Sequence, residues 1–103
     1  MNIKELSEAI KADNFEWRKH TLLRLAERKI KQDTILEVIL NGEIVEDYPD
    51  DTPFPSCLMF KIIDQKPYHV VVSFDSKDKK GYIITAYNPN LDKFEHDFRT
   101  RRK

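Results

Sequence analysis

The spacing of apolar residues changes partway along the chain. Up to Leu40 they recur three and four apart, the period of a helix face, and from Glu43 onward they mostly alternate, the period of a strand. Ile3, Leu6 and Ile10 follow Asn2, which has Glu5 three residues on, so a capped amphipathic helix is expected over about residues 3 to 12, ended by Asp13-Asn14. From Glu16 to Lys29 no Gly or Pro interrupts the chain, and Leu22, Leu23, Ala26 and Ile30 share one side of a second helical wheel. Thr34 with Glu37 repeats the capping pattern for a third helix. Ile35, Leu36, Val38, Ile39 and Leu40 supply its buried face, and Asn41-Gly42 reads as a left-handed end.

Residues 43 to 48 read as a first strand. They lead into the loop Pro49 to Pro55, whose three prolines cannot donate to a ladder. Ser56 to Ile63 sets Leu58, Phe60 and Ile62 against Cys57, Met59 and Lys61. After the turn Asp64 to Pro67, the stretch Tyr68 to Asp75 alternates again, and tightly joined strands are antiparallel. Ser76 to Gly81 is a second polar turn, and Tyr82 to Asn88 is a fourth strand halted by Pro89. The expected class is α+β, with two to three N-terminal helices packed on a four-stranded antiparallel sheet. One domain is expected over residues 1 to 103, its core spanning about residues 3 to 90. Residues 91 to 103 form a basic C-terminal segment, with Phe94 to Lys103 as a short helix or a tail.

Composition narrows the classes. At 103 residues the chain suits one modest core and excludes a multi-domain enzyme. The 40% hydrophobic residues cluster in periodic runs, so the 35% charged residues do not signal disorder. No apolar run approaches the roughly 18 residues of a membrane span, and Met1 to Glu5 lacks a signal-peptide pattern; no membrane association and a cytoplasmic location are expected. The lone Cys57 offers neither an internal disulfide nor a thiolate zinc site. The net charge of zero hides a segregation: residues 1 to 31 carry eight Lys/Arg against five Asp/Glu, residues 32 to 64 one against eight, and residues 65 to 103 nine against five. If the outer segments meet in space they build a basic surface fit for a phosphate backbone. Scattered solubilising charge is the alternative.

His20, Arg24 and Arg28 fall four residues apart, one stripe on the second helix. Two guanidiniums beside an imidazole suit phosphoryl chemistry, since Arg grips phosphate oxygens in a bidentate manner and His moves protons near neutral pH. The same stripe also fits an ordinary solvated face, with Glu27 offsetting its charge. On the third strand His69, Val71 and Ser73 oppose Tyr68, Val70, Val72 and Phe74; on the fourth, Thr85 and Tyr87 oppose Ile84 and Ala86. His69, Ser73, Thr85 and Tyr87 would then line a cleft with Lys61 at its margin, or else His69 and Tyr87 serve packing. No His-x-His, His-Glu-x-x-His or Cys-x-x-Cys spacing suggests a metal, and two glycines make no phosphate loop, so no metal and no cofactor are expected.

His20-x3-Arg24-x2-Glu27-Arg28-x-Ile30, then Asn41 to Pro49, Pro67 to Val72 and Ile83 to Tyr87, resemble over about residues 15 to 90 the bacterial family called domain of unknown function 4258. That family is in turn similar to the RelE-like toxin ribonucleases of the barnase/EndoU/colicin/RelE fold. The resemblance implies metal-independent RNA cleavage. His20, His69 or Tyr87 would take the proton of a ribose 2′-hydroxyl, another of the three would protonate the leaving 5′-oxygen, and Arg24 and Arg28 would stabilise the phosphate charge. Thr85 and Lys61 would position substrate, and Arg99 and Arg101, with Arg102, would add RNA affinity that a neutral chain otherwise lacks. RNA or the ribosome, and an antitoxin protein, are the implied partners. A reading from a different class is a non-catalytic module, its basic helix and tail binding an acidic protein or a structured RNA. A third is a scaffold that pairs through the acidic run Glu43 to Asp51.

Overall fold

The computed structural model describes residues 1–102; Lys103, the last residue of the predicted basic segment, lies outside the described residues. Helix α1 (Ile3–Lys11) starts where the capping pattern places it, with the Asn2 side chain accepting from the Glu5 N–H at 3.1 Å. The next segment departs from expectation. Asp13 turns the chain with φ 58°, and Asn14 anchors it through its side-chain amide to the carbonyls of Asp78 and Lys79. Phe15–Trp17 is then held extended as a short strand, β1, and helix α2 begins only at Lys19 and ends at Arg28. Two aromatic residues separated by Glu16 suit a half-buried strand better than a helix start.

Helix α3 (Gln32–Asn41) follows a left-handed Lys29, φ 57°. Its N-cap is Lys31, so Thr34 lies inside the first turn and the predicted Thr34/Glu37 box is not used. Gly42 is extended, φ −86° and ψ −170°, not left-handed. Space is what Gly42 supplies: a Cβ there would meet the Val38 carbonyl oxygen and sit 2.6 Å from that of Phe60. The chain crosses strand β3 at that point.

Strands β2 (Glu43–Tyr48), β3 (Ser56–Ile63), β4 (Lys66–Asp75) and β5 (Lys80–Tyr87) form the antiparallel series the alternation predicts. The fold is α+β, but its sheet has five strands and is mixed, ordered β1-β5-β4-β3-β2 with β1 parallel to β5. On one face the helices bury Leu6, Ile10, Leu25, Ile35, Val38 and Ile39 against Cys57, Met59, Val70, Val72, Phe74 and Ile83. The buried side of α2 is Thr21 and Leu25, while Leu22 and Leu23, assigned to the core by periodicity, are exposed. Leu58, Phe60 and Phe94 are also buried but belong to the opposite, outer face. There residues 90 to 102 pack as a series of turns with one isolated bridge, Phe94 to Arg101, in place of the helix or loose tail expected.

Candidate active site

The outer face takes its shape from how α2 meets the sheet. Strand β1 pairs β5 only over Gly81 to Ile83, which leaves the later β5 carbonyls on an edge. Helix α2 supplies the missing donors. Thr21 Oγ1 donates to the carbonyls of Ile84 at 2.6 Å and Ile83 at 3.2 Å, and Arg28 Nη1 donates to that of Ala86 at 2.7 Å. A register shift in the β4–β5 ladder between Val71 and Val72 accompanies this and changes the phase of β5. Thr85 then lies opposite Val71, and Ile84 lines the same groove as Val71 and Ser73, so Ile84 is not set against Thr85 and Tyr87 as strict alternation predicts.

That groove encloses about 400 Å³. Val71, Ser73 and Ile84 line it from the sheet, Arg18 and His20 from the start of α2, and Asp51 and Phe54 from the proline-rich loop. Arg18 also sits over the Tyr82 ring at 5.4 Å, and Tyr82 stacks on Phe54 with centroids 5.5 Å apart. Ser56, opposite Ser73 in the ladder and also in the groove, donates its hydroxyl to the Asp51 carboxylate. An exposed imidazole, a guanidinium and a carboxylate thus line one groove with a partly polar floor.

His69 lies two residues along β4 from Val71, opposite Tyr87 on one side and Phe60 on the other. It is fully buried. Phe60, Tyr87 and Phe94 surround its ring edge to face, Phe94 at 4.6 Å. Its Nε2 is 2.7 Å from the Phe98 carbonyl oxygen, which only accepts, so the proton sits on Nε2 and the Nδ1 lone pair faces the Tyr87 hydroxyl at 3.4 Å. Burial holds His69 below the ordinary imidazole value, keeping it neutral at pH 7, and burial likewise pushes Tyr87 up.

The remaining predicted residues separate. Arg24 is on the exposed side of α2, 3.7 Å from Glu27, and Arg28 serves the β5 edge. Lys61 lines another groove, with Asn41, Ile62 and Arg99. Arg99 covers the Phe60 ring at 4.9 Å and bonds Glu43, while Arg101 covers Phe94 at 4.9 Å and grips Glu46 with two bonds of 2.6 and 2.9 Å. The Arg101 bond is the main reason the Glu46 carboxyl lies below its usual range. The C-terminal arginines expected to build a basic surface therefore close on the acidic middle of the same chain. His69 and Tyr87 lie side by side, but His69 is fully buried and does not line the cleft expected with Ser73, Thr85 and Lys61; His20 lies on the same side of the sheet in a separate, open groove. Arg18, Asp51 and Ser56 were missed. The one available signal was the place of Arg18 just ahead of the helix that carries His20.

Among the described residues no group of three or more His, Cys, Asp or Glu is placed to hold a metal ion. Burial pushes the Cys57 thiol up to about 12, leaving it an inert core residue. No helix of the described residues is long and apolar enough to cross a membrane.

A three-helix layer on one face of a mixed sheet, with an imidazole groove on the other, defines an α+β domain with its polar chemistry on the outer face. The family model for the domain of unknown function DUF4258 matches residues 17–88, and the chain belongs to that family. No match to a curated protein or to a solved structure accompanies it. The matched span holds the groove, His69 and Tyr87; it leaves out α1 and the segment packed over His69.

Proposed function

We propose that this protein is a metal-independent endoribonuclease of toxin type, working on the outer face of the sheet in the manner of the RelE-like enzymes. The observation that carries the reading is the open groove that Arg18 and His20 line together with Asp51, with the neutral His69–Tyr87 pair farther along the same strands. A general base there removes the proton of a ribose 2′-hydroxyl. The freed oxygen attacks the adjacent phosphorus, the P–O5′ bond breaks, and a general acid protonates the leaving 5′-oxygen, giving a 2′,3′-cyclic phosphate. His20 is the exposed proton carrier, and Arg18 meets the charge that grows on the phosphate oxygens. RNA, free or on a ribosome, is the substrate, an antitoxin protein the natural restraint, and the cytoplasm the place of work.

The test is cleavage of single-stranded RNA, with and without added ribosomes, in the presence of a chelator. Wild type is expected to cut RNA and leave the matching DNA intact, because DNA lacks the 2′-hydroxyl. His20→Ala and Arg18→Ala, folded by circular dichroism, are expected to lose about 10²-fold or more of the rate. Cleavage of DNA, or unchanged rates in both variants, refutes the assignment. A non-catalytic protein- or RNA-binding module is the second reading, favoured by one observation: His69, a proton carrier the catalytic reading needs, is sealed from solvent. RNA retained but never cut selects it.

A further inference from the structure

The segment over His69 is fastened in an unusual way. Residues 90 to 102 add no strand to the sheet and contain no helix. Their hydrogen bonds are mostly internal: Phe94 N–H to the Asn90 carbonyl at 3.2 Å, Glu95 N–H to that of Thr100 at 2.8 Å, Phe98 N–H to that of Glu95 at 2.9 Å, Arg102 N–H to that of Lys93 at 2.9 Å, and an Asp97 carboxylate that accepts from Arg99 and Thr100, so the segment holds its own shape while few bonds tie it to the sheet. What joins the segment to the sheet is one buried apolar anchor, Phe94, one carbonyl on His69, Arg99 stacked on the Phe60 ring, and two ion pairs at the rim, Arg99 with Glu43 and Arg101 with Glu46. Phe94 seats the closure, and guanidinium–carboxylate contacts fasten its rim, one bond from Arg99 and a two-bond grip from Arg101; guanidiniums bind phosphate oxygens in the same ways. The segment also lies beyond the span that matches the family.

We propose that residues 90 to 102 form an autoinhibitory cover over His69 and Tyr87, opened when RNA phosphates replace Glu43 and Glu46 as the partners of Arg99 and Arg101. Opening joins the His20 groove to His69 and Tyr87 along β4 and β5 and makes the buried His69 and the half-buried Tyr87 accessible. The regulation rests on the ribonuclease reading of the same face, so its test reads the cover and not the cleavage. The measurement is hydrogen exchange of the full chain by NMR, following the His69 Nε2–H, whose acceptor is the Phe98 carbonyl of the cover, and the Val70 and Val72 amides in the sheet. The probe is a 2′-O-methyl RNA of about ten nucleotides, which cannot be cut. Saturating probe, and separately Glu43→Gln with Glu46→Gln, are expected to lower protection of the His69 Nε2–H by about tenfold while Val70 and Val72 are unchanged. Protection of the His69 Nε2–H unchanged by the probe, or in wild type lost only together with that of Val72, overturns the proposal. A chain whose cover opens but which never cuts unmodified RNA keeps the cover and loses the ribonuclease reading. One that cuts RNA with the His69 Nε2–H still protected does the reverse.

Discussion

Replacing Gly42 by alanine adds a single methyl group at the place where the end of α3 passes over β3. The backbone of Gly42, at φ −86° and ψ −170°, is one any residue adopts, so the substitution carries no conformational penalty of its own. Its cost is steric. The added carbon would lie 2.6 Å from the Phe60 carbonyl oxygen and closer still to that of Val38, to which the Gly42 N–H also donates at 2.8 Å. Both obstacles are backbone, which cannot swing aside as a side chain does, so relief requires opening the last turn of α3, which holds Val38, and shifting the chain away from β3. Overpacking of this kind costs about 1–3 kcal/mol, and two rigid contacts put Gly42→Ala near the upper end. For a domain of this size about 3 kcal/mol corresponds to a melting temperature lower by about 12–24 °C. Gly81→Ala is the internal control. Its Cβ would meet only side-chain atoms of Leu6, Phe15 and Ile10 at 3.4 to 3.6 Å, so reduced freedom of the unfolded chain is expected to leave stability level or raise it by about 0.4–1 kcal/mol. Thermal unfolding followed by circular dichroism measures both. Equal melting temperatures for wild type and Gly42→Ala would refute the steric argument.

Thr21→Val keeps the shape of the side chain and removes the donor to Ile83 and Ile84; a loss of about 1–3 kcal/mol in urea unfolding is expected, with Thr21→Ser closer to wild type. Arg28→Met strips the Ala86 carbonyl of its partner and is expected to cost a similar amount, whereas Arg24→Ala on the exposed side should stay within about 0.5 kcal/mol. His69 gives a pH dependence with a defined sign. Burial lowers its folded value below the ordinary 6.5, so the unfolded chain binds the proton first, and stability that is complete above about pH 6.5 falls as the pH drops through it. Melting temperatures at about pH 7.5 and about pH 5.5 should therefore differ more in wild type than in His69→Gln, and equal differences would contradict a buried neutral imidazole.

Much of the fold is local in origin and was legible as such. The Asn2 cap, the apolar faces of α1 and α3 and the alternation of β3 and β4 depend on neighbours within a few residues, so each could be read before any long-range pairing was known. Failures came where a distant segment overruled local preference. Phe15 to Trp17 became a strand because the edge of β5 was there to receive it. The inner side of α2 became Thr21, Leu25 and Arg28 because β5 offers carbonyls there, and a helix facing a sheet edge needs donors as much as apolar surface. The register shift in the β4–β5 ladder that brings Ile84 into the groove accompanies the same contact, and no periodicity of two can announce it.

For the site, the sequence determined which groups exist: three histidines, a charge order of basic, acidic and basic segments, and no cysteine or histidine spacing suited to a metal. It also determined that His69 and Tyr87 lie on polar-facing positions of adjacent strands. Only the tertiary structure decided which of these groups meet water. Glu43 and Glu46 on β2 capture Arg99 and Arg101 from the end of the chain, the Phe98 carbonyl comes to rest on His69, and His20 is left in the open. Accessibility and ion pairing depend on which surfaces are brought together across half the chain, and a charge is spent on whatever partner packing places beside it. That is why the order of charges could be counted from the residues, and their destination could not.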